Sequence, residues 1–170
     1  VRKIGFCVTR ANRIYFKILA GIGATSLEIK TKRWSIIIEP NVPVIKGKSN
    51  HNKKILGVYE GIDVADVITY LSNKKVEYKK ILVTPESFIK VKRACERLTI
   101  NIYKEFFLLF DECDRTMKDV KFRKSILEPM EDFFQFRQKA FISATAVIPS
   151  DPRFKEQNFG FTFEVMRVIF

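Results

Sequence analysis

The chain has 170 residues, 46% of them hydrophobic and 16 of them Phe, which suits one well-packed domain and excludes general disorder. Lys and Arg total 31 against 19 acidic residues, and the resulting charge of +12 favours a polyanion, nucleic acid ahead of an anionic membrane surface. A single histidine, His51, and three cysteines without paired spacing (Cys7, Cys95 and Cys113) argue against a zinc cluster and a His-based triad, and fit free thiols in a reducing cytoplasm.

In chain order, residues 1–13 read as a basic lead-in strand or arm. Residues 14–19 (IYFKIL) are predicted to form a strand. It runs into Ala20-Gly21-Ile22-Gly23-Ala24-Thr25, and a short helix is expected from Ser26. Residues 35–39 (SIIIE) form the next buried strand, ended by Pro40. Residues 40–54 read as a polar, basic loop with a short turn. A strand at 55–59 precedes a helix at 64–71, in which Val64, Val67, Ile68 and Leu71 follow the i, i+3, i+4, i+7 spacing and Asp63 is placed to cap. Residues 80–83 (KILV) are a strand, followed by Thr84-Pro85-Glu86-Ser87 and a basic helix to about Leu98. Residues 106–110 (FFLLF) form a strand, and 125–136 a helix with Pro129 near its first turns. Residues 140–143 (AFIS) are another strand, 149–153 a turn, and 161–170 a last, partly alternating strand. This alternation predicts an α/β domain: a mostly parallel sheet with helices on both faces. No apolar run approaches the ~20 residues of a membrane helix, and no signal-peptide core opens the chain. It begins at Val1 and stops at Phe170 inside an apolar stretch, so residues 1–170 are expected to be one domain of a longer, cytoplasmic protein.

Open α/β sheets bind ligands beyond the carboxyl ends of their strands. Two such ends carry suitable chemistry. After FFLLF the charge arrives abruptly at Asp111, Glu112 and Asp114. Asp111 suits Mg²⁺, usually held through water, and Glu112 suits orienting or deprotonating an attacking water. Gly21 and Gly23, after the first strand, let backbone amides approach an anion closely. Each feature also has a plain structural reading, as a solvated strand end and a strand-to-helix turn. Lys90, Lys92, Arg93 and Arg97 read as a solvated helix face, the Phe133, Phe134 and Phe136 cluster as core, and Cys113 as an incidental thiol.

The order and spacing of these pieces resemble the first RecA-like domain of the superfamily-two helicases, the DEAD-box and DEAH-box group. Asp111-Glu112-Cys113-Asp114 resembles their DExD motif, and Ser143-Ala144-Thr145 their SAT motif. Glu39-Pro40-Asn41 and Thr84-Pro85-Glu86-Ser87 lie where their backbone-binding motifs stand. The resemblance spans roughly residues 14–145. It implies a RecA-like (P-loop NTPase-like) domain binding ATP and Mg²⁺, with DNA or RNA as partner and no membrane. Gly21, Ile22, Gly23, Ala24, Thr25 and Ser26 would cradle phosphate. Thr25 and Asp111 would serve the metal, and Asp111 and Glu112 the catalysis. Asp114, Ser143 and Thr145 would couple the nucleotide state to a second RecA-like domain of the same full-length chain. Pro40, Asn41, Thr84, Pro85 and Glu86 would contact nucleic-acid backbone.

One position departs from the family pattern. Ala24 stands where a lysine should reach the β- and γ-phosphates. Losing that contact costs on the order of 3 kcal/mol in the transition state, about a hundredfold in rate. Lys17, Lys30 and Lys32 are the nearby lysines to weigh as substitutes. Three readings follow: a nucleic-acid-dependent ATPase domain, a RecA-like binding module that has lost hydrolysis, and a basic interaction domain with accidental motifs.

Overall fold

The computed structural model describes residues 10–16, 24–50, 52–111, 124–143 and 151–162. Within them, β1 (Arg13–Phe16), β2 (Ser35–Ile38), β3 (Ile55–Val58), β4 (Lys80–Val83), β5 (Phe107–Phe110), β6 (Gln138–Ser143) and β7 (Gly160–Thr162) form one sheet. Their order is β3-β4-β2-β5-β6-β1-β7, and every pairing is parallel. The runs are continuously apolar because both faces are covered. Ile36, Ile38, Ile81, Val83, Leu108 and Phe110 point into one core, while Ile37, Leu82, Phe107 and Leu109 point into the other. Side chains alternate along a strand, so each short run supplies both.

Helices close the two faces. α1 (Ala24–Lys30) and α2 (Val42–Ser49) cover one, through Ile29 and Ile45. The other is covered by α3 (Val64–Ser72), α4 (Phe88–Arg97), α5 (Ile102–Glu105), α6 (Lys124–Phe133) and α7 (Arg153–Glu156). The described residues thus form a single α/β RecA-like fold, with β6 inserted between β5 and β1. Phe133 of α6 is the hub of the larger core. Its ring lies 4.1 Å from Phe141 of β6 and also meets Phe110, Phe154 and Phe159. Phe134 and Phe136 are buried as well, so the aromatic cluster is core. Fully burying a Phe is worth about 2–3 kcal/mol, so this hub fixes α6 against the middle of the sheet.

The strands fall within a residue or two of their expected positions wherever they are described. The helix at 64–71 extends by one residue to Ser72, and the backbone N–H of Asp63 donates to the Asp66 carboxylate at 2.9 Å, as at a capped start. Three short helices were not legible: α2, α5 and α7. Residues 40–54 read as loop and turn, yet α2 occupies Val42–Ser49. Pro43 presets its first turn, and only Ile45 is buried. Tertiary packing supplies what periodicity lacked, because α2 lies directly on β3 at Gly57. A Cβ there would come within 2.7 Å of Ser49 Oγ and 2.9 Å of Ile45 Cγ2. At the other end, α7 follows the expected turn at 149–153, where Asp151 accepts from the backbone N–H of Arg153 at 3.0 Å.

Candidate nucleotide site

A parallel sheet gathers all strand ends on one edge. Along the carboxyl edge stand Thr84 after β4, Glu39 to Asn41 after β2, Asp111 after β5 and Ser143 closing β6. β1 ends at the same edge, with Phe16 level with Ser143. The ladder continues just past these ends. The N–H of Glu39 donates to Val83 O (3.0 Å), that of Thr84 to Val58 O (3.1 Å), and that of Asp111 to Ile38 O (2.9 Å). Each first polar residue is therefore still held by its neighbouring strand.

The decisive contact joins two of these ends. Thr25, in the first turn of α1, donates its hydroxyl proton to Asp111 Oδ2. Both side chains are buried, Thr25 at 4% and Asp111 at 1% exposure. Residues 86 positions apart thus meet at the carboxyl edge, although β6 separates β1 from β5. Ser143 is buried on the intervening strand. A neutral hydroxyl beside a carboxylate gives two hard oxygen donors, the type that Mg²⁺ prefers.

The other expected site residues divide into three groups. Gly21, Ile22, Gly23, Glu112, Asp114 and Thr145 lie outside the described residues. Ala24 opens α1 and Ser26 is exposed on it. Pro40 and Asn41 are half-buried at the start of α2, and Glu39 Oε1 accepts from the Asn41 N–H at 3.1 Å. Thr84 and Pro85 are buried, while Glu86 is exposed. All five proposed backbone-contact residues follow β2 and β4, which pair directly, so the fold places them side by side.

Two of the lysines weighed as substitutes for the missing one are misplaced. Lys30 closes α1, about 9 Å along the helix from Ala24 at 1.5 Å per residue. Lys32 follows it towards the start of β2, at the opposite edge from Asp111. Lys17 lies outside the described residues.

No protein-family model matches this chain, and no curated protein does either. The geometry of its own residues therefore carries the functional reading.

Several buried ionisable groups escaped the sequence reading, and all of them are internally satisfied. Glu28 of α1 is fully buried and accepts from Arg33 Nε (2.9 Å), Arg33 Nη2 (2.5 Å) and Ser35 Oγ (2.5 Å). Lys80 donates to Glu28 O (2.7 Å) and Ser35 Oγ (2.9 Å), with its ammonium 3.8 Å from Glu28 Oε1. Burial pushes its pKa down to about 8, against the pull of Glu28. Lys139, at the start of β6, is also lowered to about 8 by burial, and donates to Phe134 O (3.0 Å) and Phe136 O (2.9 Å). Their only sequence signal was a lysine inside an otherwise apolar strand segment.

The basic face of α4 is also partly structural. Lys92 pairs with the buried Asp132 at 2.7 Å, and the Tyr103 hydroxyl donates to the same carboxylate at 2.6 Å. Against the cost of burial, that carboxylate raises the Lys92 pKa. Lys90 donates to Tyr59 O (3.2 Å) and Ile62 O (2.7 Å), tying the β3–α3 turn. Arg93 and Arg97 are exposed. Cys95 is buried, with its thiol pushed up to about 12, so it is an inert core residue. Among the described residues, no group of three or more His, Cys, Asp or Glu is placed to hold a metal, and no helix is long and apolar enough to cross a membrane.

Proposed function

We propose that this chain is the nucleotide-binding half of a helicase-like, nucleic-acid-dependent ATPase. The observation that carries the proposal is the Thr25–Asp111 contact, which joins the end of the glycine-rich loop to the acidic tip of β5. In this reading Gly21, Gly23 and Thr25 cradle phosphate, and Asp111 helps to hold Mg²⁺. Glu112 positions the attacking water, and Ser143 with Thr145 relays the nucleotide state to a second RecA-like domain. Bound Mg²⁺ would neutralise charge building on the phosphates. The chain's own residues hold and orient: the backbone of buried Asp111 is fixed to β2 through its N–H and its carboxylate accepts from Thr25, so the carboxylate is set in place before ligand arrives. Arginines from a second domain would be needed for full turnover, so this domain alone should hydrolyse ATP poorly.

Isothermal titration with Mg-ATP tests the reading. Binding is expected for the wild type and is lost in Asp111→Asn, and Ala24→Lys strengthens it. Absence of binding in all three would sink the proposal. In the full-length protein, hydrolysis should need DNA or RNA and stop in Glu112→Gln.

A second reading is favoured by one specific residue. Ala24 in the lysine position suits a module that binds nucleotide, nucleic acid or protein without turnover. Binding of ATP that never leads to hydrolysis, even in the full-length protein with nucleic acid, would select it.

A further inference from the structure

The edge opposite the candidate site carries a different chemistry. Strands β3, β4 and β2 are neighbours at one end of the sheet. Each is preceded by a pair of exposed lysines: Lys53 and Lys54, Lys74 and Lys75, Lys30 and Lys32. Their first residues are level, with Lys80 facing both Ile55 and Ser35. Six lysines thus border the amino edge of three adjacent strands, where Glu77 is the one exposed acid among the described residues of those turns. Beyond them the row thins: exposed Lys104 before β5 stands beside exposed Glu105, and exposed Arg137 precedes β6 on the same edge. The carboxyl turns of β3, β4 and β2 are the reverse: they expose Glu60, Asp63 and Glu86 and contain no Lys or Arg.

From this polarity we infer that the amino edge is a docking surface for nucleic-acid backbone, separate from the five residues expected to contact it on the carboxyl edge. Strands lie about 4.8 Å apart, so the row from β3 to β6 spans about 19 Å, on the order of five or six nucleotide steps of 3.4 Å. Lysines act as point charges on phosphate and read no bases, so binding is independent of sequence. Among the described residues, the surface offers no exposed large apolar side chain for insertion into lipid. Trp34 is half-buried there with its indole N–H donating to Glu77 O at 2.9 Å, and the exposed Phe161 lies on β7 at the other end of the sheet. The inference shares with the proposed function only the expectation of a nucleic-acid partner, and needs no bound nucleotide.

The test is fluorescence anisotropy of a labelled 20-nucleotide oligothymidylate with the intact chain, without ATP, at about 50 to 200 mM KCl. The wild type should bind with a slope of log K against log salt of about −3 to −4, as for four to six phosphates at about 0.7 each. Replacing Lys53, Lys54, Lys74 and Lys75 by Ala should weaken binding at least about tenfold and flatten most of that slope. The matching quadruple Lys→Arg protein should bind like the wild type, and thermal melting confirms that both variants fold. Wild-type affinity in the alanine variant overturns the inference, as does a wild type that fails to bind. So does a result in which the lysines matter for pelleting with phosphatidylserine vesicles and not for the oligonucleotide. A loss of ATP binding leaves all these readouts intact.

Discussion

At the amino edge of the sheet, Glu28 is buried against Arg33, Ser35 and Lys80; at the carboxyl edge, Asp111 is buried against Thr25. Both carboxylates are almost wholly out of water, and both accept from a hydroxyl. The first lies among cations supplied by its own chain, and removing either partner would leave a buried charge uncompensated. Such an arrangement holds a fold together. The second meets a residue that directly follows a glycine-rich loop, at the edge where open α/β sheets take their ligands. The comparison separates burial among a carboxylate's own counter-charges from burial at a ligand-binding edge, which a count of buried acids would merge. It also shows how a parallel sheet sorts charge. Lysines that precede strands collect on one edge, and acids that follow strands collect on the other.

Substitutions at these sites and a pH titration would break or sharpen this contrast. The largest effect is expected from Glu28→Ala, which leaves Lys80 and Arg33 without their carboxylate. It should cost about 3 kcal/mol or more of stability in urea unfolding, with no specific effect on nucleotide binding. A loss below about 1 kcal/mol would mean that the two carboxylates are not different in kind. Asp111→Asn should behave the opposite way. It retains an acceptor for Thr25, so unfolding should shift by only about 1 kcal/mol while Mg-ATP binding is abolished.

The pH dependence comes next. Lys80 and Lys139 are held at about 8, below the ordinary 10.5. Below pH 8 both groups are protonated in folded and unfolded chains, and the burial penalty stands in full. Between pH 8 and 10.5 the unfolded chain binds more protons than the folded one, so stability rises with pH. Cys95 and Tyr70, both pushed up to about 12 by burial, work the other way, Cys95 from about pH 9 and Tyr70 from about pH 10, and offset only part of the gain from the two lysines. Melting temperature should therefore climb by a few degrees from pH 7.5 to 9.5, and Lys139→Met should flatten the climb; a falling curve would contradict the placement of both lysines. The smallest effect is expected from Thr25→Ser, which keeps the hydroxyl and should leave both unfolding and Mg-ATP affinity within about threefold of wild type. Thr25→Val should lose about 1 kcal/mol of stability by urea unfolding.

Much of this fold was legible because its central strands β2, β4 and β5 are fully buried. The runs SIII, KILV and FLLF announce themselves as apolar blocks, and sequence alone can place such blocks without knowing their neighbours. Helix α3 was equally plain from its 3.6-residue spacing. Helix α2 was not, since a single buried Ile45 gives no period, and the helix forms where Gly57 lets it close on β3. At the site, the acids after β5 and the glycines after β1 could be nominated from residue type. That Lys30 and Lys32 stand away from Asp111, and that Lys90 and Lys92 are engaged in holding turns and helices, could not. Those facts depend on which end of a helix meets which edge of the sheet.

By itself, then, the sequence determined the element order, the doubly buried strands and the polar residues that end them, because local apolar pattern and turn chemistry act over a few residues. The tertiary structure alone decided the strand order that brings Thr25 to Asp111, the burial of Lys80 and Lys139 with their lowered pKa values, and the gathering of paired lysines along one edge. Each of these depends on contacts between segments tens of residues apart, and pairing at that distance is set by the packing of the whole sheet.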